Sequence, residues 1–172
     1  VSTTTYDVAG RVVSTTDPRG TTTALAYNAA GRPLTVTQAA NTALTRTSYT
    51  CYDKTGRTLR TIANWRFDPT QPAPDAKDNQ GNFLFNPGAH GAANDQNLIT
   101  TYTLDKLGRQ LVVGDPLGDT TSMTYYKDGQ VESMTDPLGV VTKQRYDNAR
   151  RITTVVQSWQ DNGQDPSLWL WN

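Results

Sequence analysis

A single cysteine, Cys51, and a single histidine, His90, stand among 172 residues. The lone cysteine excludes an internal disulfide. His90 has no second imidazole to share a zinc site or a catalytic pair with, and Cys51 lies well away from it in sequence. Neither sign of charge is in excess: 16 basic and 16 acidic side chains balance, with no basic field to suit nucleic acid and no like-charged tail. No run approaches the ~20 apolar residues of a membrane-spanning helix, and no helical 3.6-residue period of useful length occurs. A glycine-rich phosphate cradle and a serine-centred elbow are both missing, and Val1 opens directly on polar residues, so no leader peptide is expected within this stretch. Apolar residues are scarce too, at 35% against about 45–50% in an average domain. That shortage favours a thin, repetitive sheet over a thick core. Thr, a strand former, fills about one position in six.

What is present is a recurring word. Tyr6-Asp7-Val8-Ala9-Gly10-Arg11 returns as Tyr27-Asn28-Ala29-Ala30-Gly31-Arg32 and as Tyr52-Asp53-Lys54-Thr55-Gly56-Arg57. Arg11 to Arg32, Arg109 to Gln130 and Gln130 to Arg151 are each separated by 21 residues, and Arg32 to Arg57 by 25. Arg57 to Arg109 spans 52, read as one repeat with 31 residues beyond the 21-residue period, and the word is not found within 66–97, taken as the insertion. Six repeats result, beginning at Tyr6, Tyr27, Tyr52, Leu104, Tyr125 and Tyr146, and they are read as one region over 1–172. Leu104 replaces the Tyr of the fourth, Gln130 the Arg of the fifth, and Arg150 the Gly of the sixth; Gly108 with Arg109, and Gly129, keep theirs. A second word follows: Asp17-Pro18-Arg19-Gly20, Asp115-Pro116-Leu117-Gly118 and Asp136-Pro137-Leu138-Gly139. The second repeat has the weaker Gln38-Ala39-Ala40-Asn41 in its place. The third and sixth have Trp65 and Trp159, each followed by an Asp-Pro.

Both words have the form Asp-x-x-Gly. Asp opens a type I turn, Pro suits its second position, and Gly takes positive φ at its fourth. The chain therefore reverses about every ten residues, which predicts an all-β antiparallel meander of hairpins. Leu25 and Tyr27, Met123 and Tyr125, Leu34 and Val36, Leu111 and Val113 alternate with Thr and charge. One apolar, aromatic face and one wet face, carrying Thr22, Thr35, Lys143 and Arg145, are expected. Tyr and Arg flank the same turn and are placed to meet across the hairpin, ring under guanidinium, cementing neighbouring hairpins.

With these residues in view, the paired words resemble the YD-repeat, or Rhs-repeat, family, which includes Rhs polymorphic toxins, the C component of Tc toxins, wall-associated toxin proteins and teneurins. The resemblance covers nearly everything outside 66–97. It implies a ribbon of hairpins that curves or spirals into a shell enclosing a toxin effector, or an adhesion ectodomain, with an extracellular or cell-surface location. Six repeats are too few for a large shell, so the chain is read as a segment of a longer array, bound to neighbouring repeats or domains of its parent, or self-associating through its sheet edges.

The residues expected to build the repeat are Tyr6, Gly10, Arg11, Tyr27, Gly31, Arg32, Tyr52, Gly56, Arg57, Gly108, Arg109, Tyr125, Gly129 and Tyr146. No catalytic residue, metal site or cofactor is assigned. Cys51 is read as a half-buried strand thiol. Asp75 to Asn82 has the flavour of a calcium loop but puts Lys77 at a ligand position. Phe83, Leu84 and Phe85 are expected to pin the insertion to the sheet. The leading reading is a non-catalytic scaffold; the alternative is a module in which exposed aromatics, Trp65 and Trp159 first, hold a glycan or partner.

Overall fold

The structure is a computed structural model that describes residues 1–86 and 95–158. Twelve strands hydrogen-bond in chain order. They are β1 (Thr3–Tyr6), β2 (Val12–Thr16), β3 (Thr22–Tyr27), β4 (Pro33–Gln38), β5 (Arg46–Tyr52), β6 (Thr58–Ala63), β7 (Leu98–Leu104), β8 (Gln110–Gly114), β9 (Thr120–Tyr125), β10 (Val131–Thr135), β11 (Val141–Tyr146) and β12 (Ile152–Gln157). The pairing is antiparallel, from β1 with β2 to β11 with β12. No helix occurs among the described residues. This is the expected meander. The chain divides into two compact units, Val1–Thr101 and a second from Tyr102 onward.

One turn geometry makes almost every reversal. In the first word the Gly10 N–H donates to the Asp7 carbonyl and the Asp7 N–H to the Arg11 carbonyl. Asp7 Oδ1 accepts from the N–H groups of Ala9 and Arg11, so the carboxylate occupies donors that the turn would otherwise leave unpaired. The Asp-Pro-x-Gly turns at Asp17, Asp115 and Asp136 repeat the pattern. The strand then bulges just after Arg11, Arg32, Arg57 and Arg151, as at Thr5↔Ser14 followed by Tyr6↔Val12.

In the first compact unit, the core lies on the face opposite the word tyrosines. Register pairs set Thr35 beside Tyr49, Tyr49 beside Ile62 and Cys51 beside Arg60. Alternation along β5 sends Tyr52 to the other side. Tyr49, Cys51, Ile62 and Phe85 form the buried cluster. The expectation of a wet face at Thr35 therefore fails in the third repeat, because the insertion folds over that face and supplies Phe85 from above. Cys51 is fully buried rather than half-buried.

The insertion lacks the word itself but contains a turn of the repeat type. The Gly81 N–H donates to the Asp78 carbonyl, the Asp78 N–H to the Asn82 carbonyl, and Asp78 Oδ1 accepts from the Gln80 and Asn82 N–H groups. Lys77 and Asn82 stand where Tyr and Arg would, and Lys77 bridges to Phe83. What looked like part of a calcium loop is a small hairpin whose carboxylate is spent on its own turn.

Candidate functional site

The repeat residues converge at joints between successive hairpins. Arg11, Arg32 and Arg109 reach forward to the Tyr of the following word, not back to the opening residue of their own. The Arg11 guanidinium carbon lies 4.6 Å from the Tyr27 ring centroid, and Arg109 lies 4.4 Å from Tyr125. Each of these tyrosines donates its hydroxyl back across the joint, Tyr27 to the Val12 carbonyl at 2.7 Å and Tyr125 to the Gln110 carbonyl at 2.7 Å. Tyr52 does the same to Pro33 at 2.8 Å. The offset arises because Tyr and Arg sit on opposite arms of one tight turn, while the next hairpin brings its Tyr alongside the outgoing arm.

The Asp of each word aims the Arg. Asp7 Oδ2 accepts from Arg11 Nε at 2.7 Å, Asp105 from Arg109 at 2.6 Å and Asp147 from Arg151 at 2.7 Å. The Arg11 N–H, more than its guanidinium, lowers the Asp7 pKa, and the Arg151 N–H does the same for Asp147. At Asp105 burial pushes upward but is outweighed by the Arg109 N–H and guanidinium. Asp53 is held far below the carboxylate range, first by the Thr55 hydroxyl and then by Arg57. Asn28 carries no charge, so Arg32 is not aimed in this way. It lies across the next turn, donating to the Thr55 carbonyl at 3.2 Å, and stands 6.0 Å from Tyr52. A Cβ at Gly56, where φ is +96°, would collide with this guanidinium.

The fifth joint breaks the rule in three places at once. Tyr126 stands where the word has Asp, a departure unseen in the sequence because Tyr125 and Tyr126 are adjacent and either can be aligned with the word. Gln130 and Arg150, noted separately in the sequence, meet here: Gln130 Nε2 donates to the Arg150 carbonyl at 3.3 Å. Arg150 adopts φ of 64° where the other words have glycine. Tyr146 donates to Gln144 Oε1 on its own strand, and Tyr126 donates to the Gln144 carbonyl.

The insertion is held by a second arrangement that the sequence did not reveal. Arg60 is 6% exposed. Its guanidinium carbon lies 4.9 Å from the Phe83 ring centroid and 5.7 Å from that of Phe85, and Nη2 donates to the Phe85 carbonyl. Nε and Nη1 are buried without a partner among the described residues. Burial depresses the Arg60 pKa. Tyr49 donates to Asp75 at 3.0 Å, and Cys51 to the Pro74 carbonyl at 3.3 Å. Burial pushes the Cys51 thiol up to about 12, so no thiolate nucleophile forms there near neutrality. Phe83 and Phe85 do pin the insertion, whereas Leu84 is half-exposed.

Trp65 packs edge-on to Tyr49 at 5.1 Å and to Phe67 at 6.2 Å. With Phe85 and Pro74 these rings line a cavity of about 230 Å³. Trp65 is thus half-buried packing at the base of the insertion. His90 and Trp159 lie outside the described residues. Among the described residues, no three His, Cys, Asp or Glu side chains gather to hold a metal, and no helix is long and apolar enough to cross a membrane.

Tandem hairpins locked by forward Arg-on-Tyr contacts define a hairpin-repeat protein. A family model described as RHS Repeat matches residues 6–43 and 125–159, so those two stretches resemble Rhs, or YD, repeats. No curated protein matches it. Among solved structures it is similar to TcdB2-TccC3 without hypervariable C-terminal region, at 17% identity and a TM-score of 0.36. It is also similar to the Photorhabdus luminescens Tc holotoxin pore, at 16% identity and a TM-score of 0.36. Each match covers 91% of this chain and 10% of the solved one, so the chain spans about a tenth of those lengths.

Proposed function

We propose that the chain is a wall segment of a larger secreted or surface-displayed Rhs-type protein, a scaffold without catalysis of its own, whose parent encloses or presents a toxin domain. The observation that carries this reading is the joint. Asp, Arg and Tyr, the side chains most able to do chemistry, are spent on one another or on backbone groups at Asp7, Arg11 and Tyr27, and again at Asp105, Arg109 and Tyr125. A residue type that recurs in every repeat is first explained by what every repeat must do, and here that is to hold the next one. The two matches to the RHS Repeat model support the same reading.

Electron cryo-microscopy of the full-length parent chain tests it. A closed protein wall that contains this segment, and that shields an enclosed domain from added protease, is the expected result. An open, extended ribbon with every domain protease-accessible would sink the proposal.

A further inference from the structure

The cavity at the base of the insertion takes no part in the joints. It measures about 230 Å³, and four rings wall it: Tyr49, Trp65, Phe67 and Phe85. That is below the ~300–1,000 Å³ of sites that enclose a whole small molecule, and leaves room for one compact group. Tyr49, 5% exposed, forms the floor, and Phe67, 75% exposed, stands at the rim. The cavity therefore opens to solvent past Phe67.

The rings are steeply inclined to one another. Tyr49 and Trp65 stand 5.1 Å apart at 62°, and Trp65 and Phe67 stand 6.2 Å apart at 75°. A sugar or a planar ring stacks on a flat face or between parallel ones, whereas inclined walls make a corner that suits a rounded group. Phe85 already has the Arg60 guanidinium carbon 5.7 Å from its centroid, so Tyr49, Trp65 and Phe67 form the working walls. Among the described residues, no lysine, arginine or histidine lines the cavity. Asp68 does line it, but its carboxylate is engaged by the Thr70 N–H and hydroxyl. The pull on a cation therefore comes from the ring faces, whose quadrupoles are negative. Tyr49 donates its hydroxyl to Asp75, which keeps its ring electron-rich. A rounded cation that needs no hydrogen-bond acceptor and seats among aromatic faces is a quaternary ammonium. We infer that this cage binds the trimethylammonium head group of choline. The cavity lies outside the joints, so the wall reading stands or falls without it.

Nuclear magnetic resonance titration of the chain with choline, its neutral tert-butyl isostere dimethylbutanol, benzyl alcohol and glucose tests it. Cosedimentation with vesicles of phosphatidylcholine, against phosphatidylglycerol, distinguishes a lipid-borne head group from a soluble one. Choline should bind in the millimolar range, shift the Trp65 indole resonance, and bind at least about threefold more tightly than the isostere, the difference being its charge. Phe67→Ala, at an exposed position, should keep the parent's urea midpoint and weaken choline binding at least about threefold. Failure of both choline and phosphatidylcholine vesicles to bind would overturn the assignment. So would the isostere, benzyl alcohol or glucose binding as well as choline, or Phe67→Ala binding choline unchanged.

Discussion

At the scale of single residues, the forward reach of Arg is the feature to test. A double-mutant cycle on Arg11→Ala and Tyr27→Phe or Ala, read by urea denaturation, should give a coupling energy of about 0.5–1 kcal/mol, since the pair is only partly buried. The cycle on Tyr6 and Arg11, which share a word, should give none. Equal coupling in both would contradict the offset. The turn itself was legible in the sequence because Asp-x-x-Gly is a local requirement: a carboxylate facing two N–H groups, and a residue free to take positive φ. The partner of each Arg was not, because it depends on which arm of the next hairpin lies alongside. Tyr126 was missed for a similar reason, since a doubled Tyr hides which one occupies the Asp position.

At the scale of elements, the insertion converts a wet face into a core. Phe85 is 3% exposed and lies over Tyr49, Cys51 and Ile62. Phe85→Ala should cost about 3–5 kcal/mol and open the lid enough for Cys51 to react with a thiol reagent at pH 8. The parent thiol should stay silent until global unfolding; rapid labelling of the parent would show that the insertion does not cover this face. Nothing in the alternation of β5 and β6 announced this, because Thr and Arg60 sit on the covered face and read as solvent-facing. The Asp78 to Gly81 turn has the Asp-x-x-Gly form in the sequence, masked there by Lys77 and Asn82 in place of Tyr and Arg.

At the scale of the whole molecule, the word carboxylates set the response to acid. Asp7, Asp53, Asp105 and Asp147 all have lowered pKa values in the folded state. Their contribution is therefore complete above the unfolded value of about 4 and is lost as pH falls through the folded values. Thermal melts should hold steady from pH 7 to about 5 and drop steeply below about 4; a flat profile to pH 2 would show that the carboxylates are bystanders. Among the described residues, Tyr6 is 61% exposed, and the Arg151 side chain is 79% exposed. They are the two unlike side chains of which a joint is made. We expect self-association in light scattering that weakens in Tyr6→Ala or Arg151→Ala, against a monodisperse monomer as the contrary result. Because the joint is made of unlike halves, the array has a direction, as a sentence does. The same Arg-on-Tyr joint serves at Arg11 and at Arg109, so a hairpin that ends in such an Arg is shaped to take a successor that begins with Tyr. Length is then free to change in steps of one word.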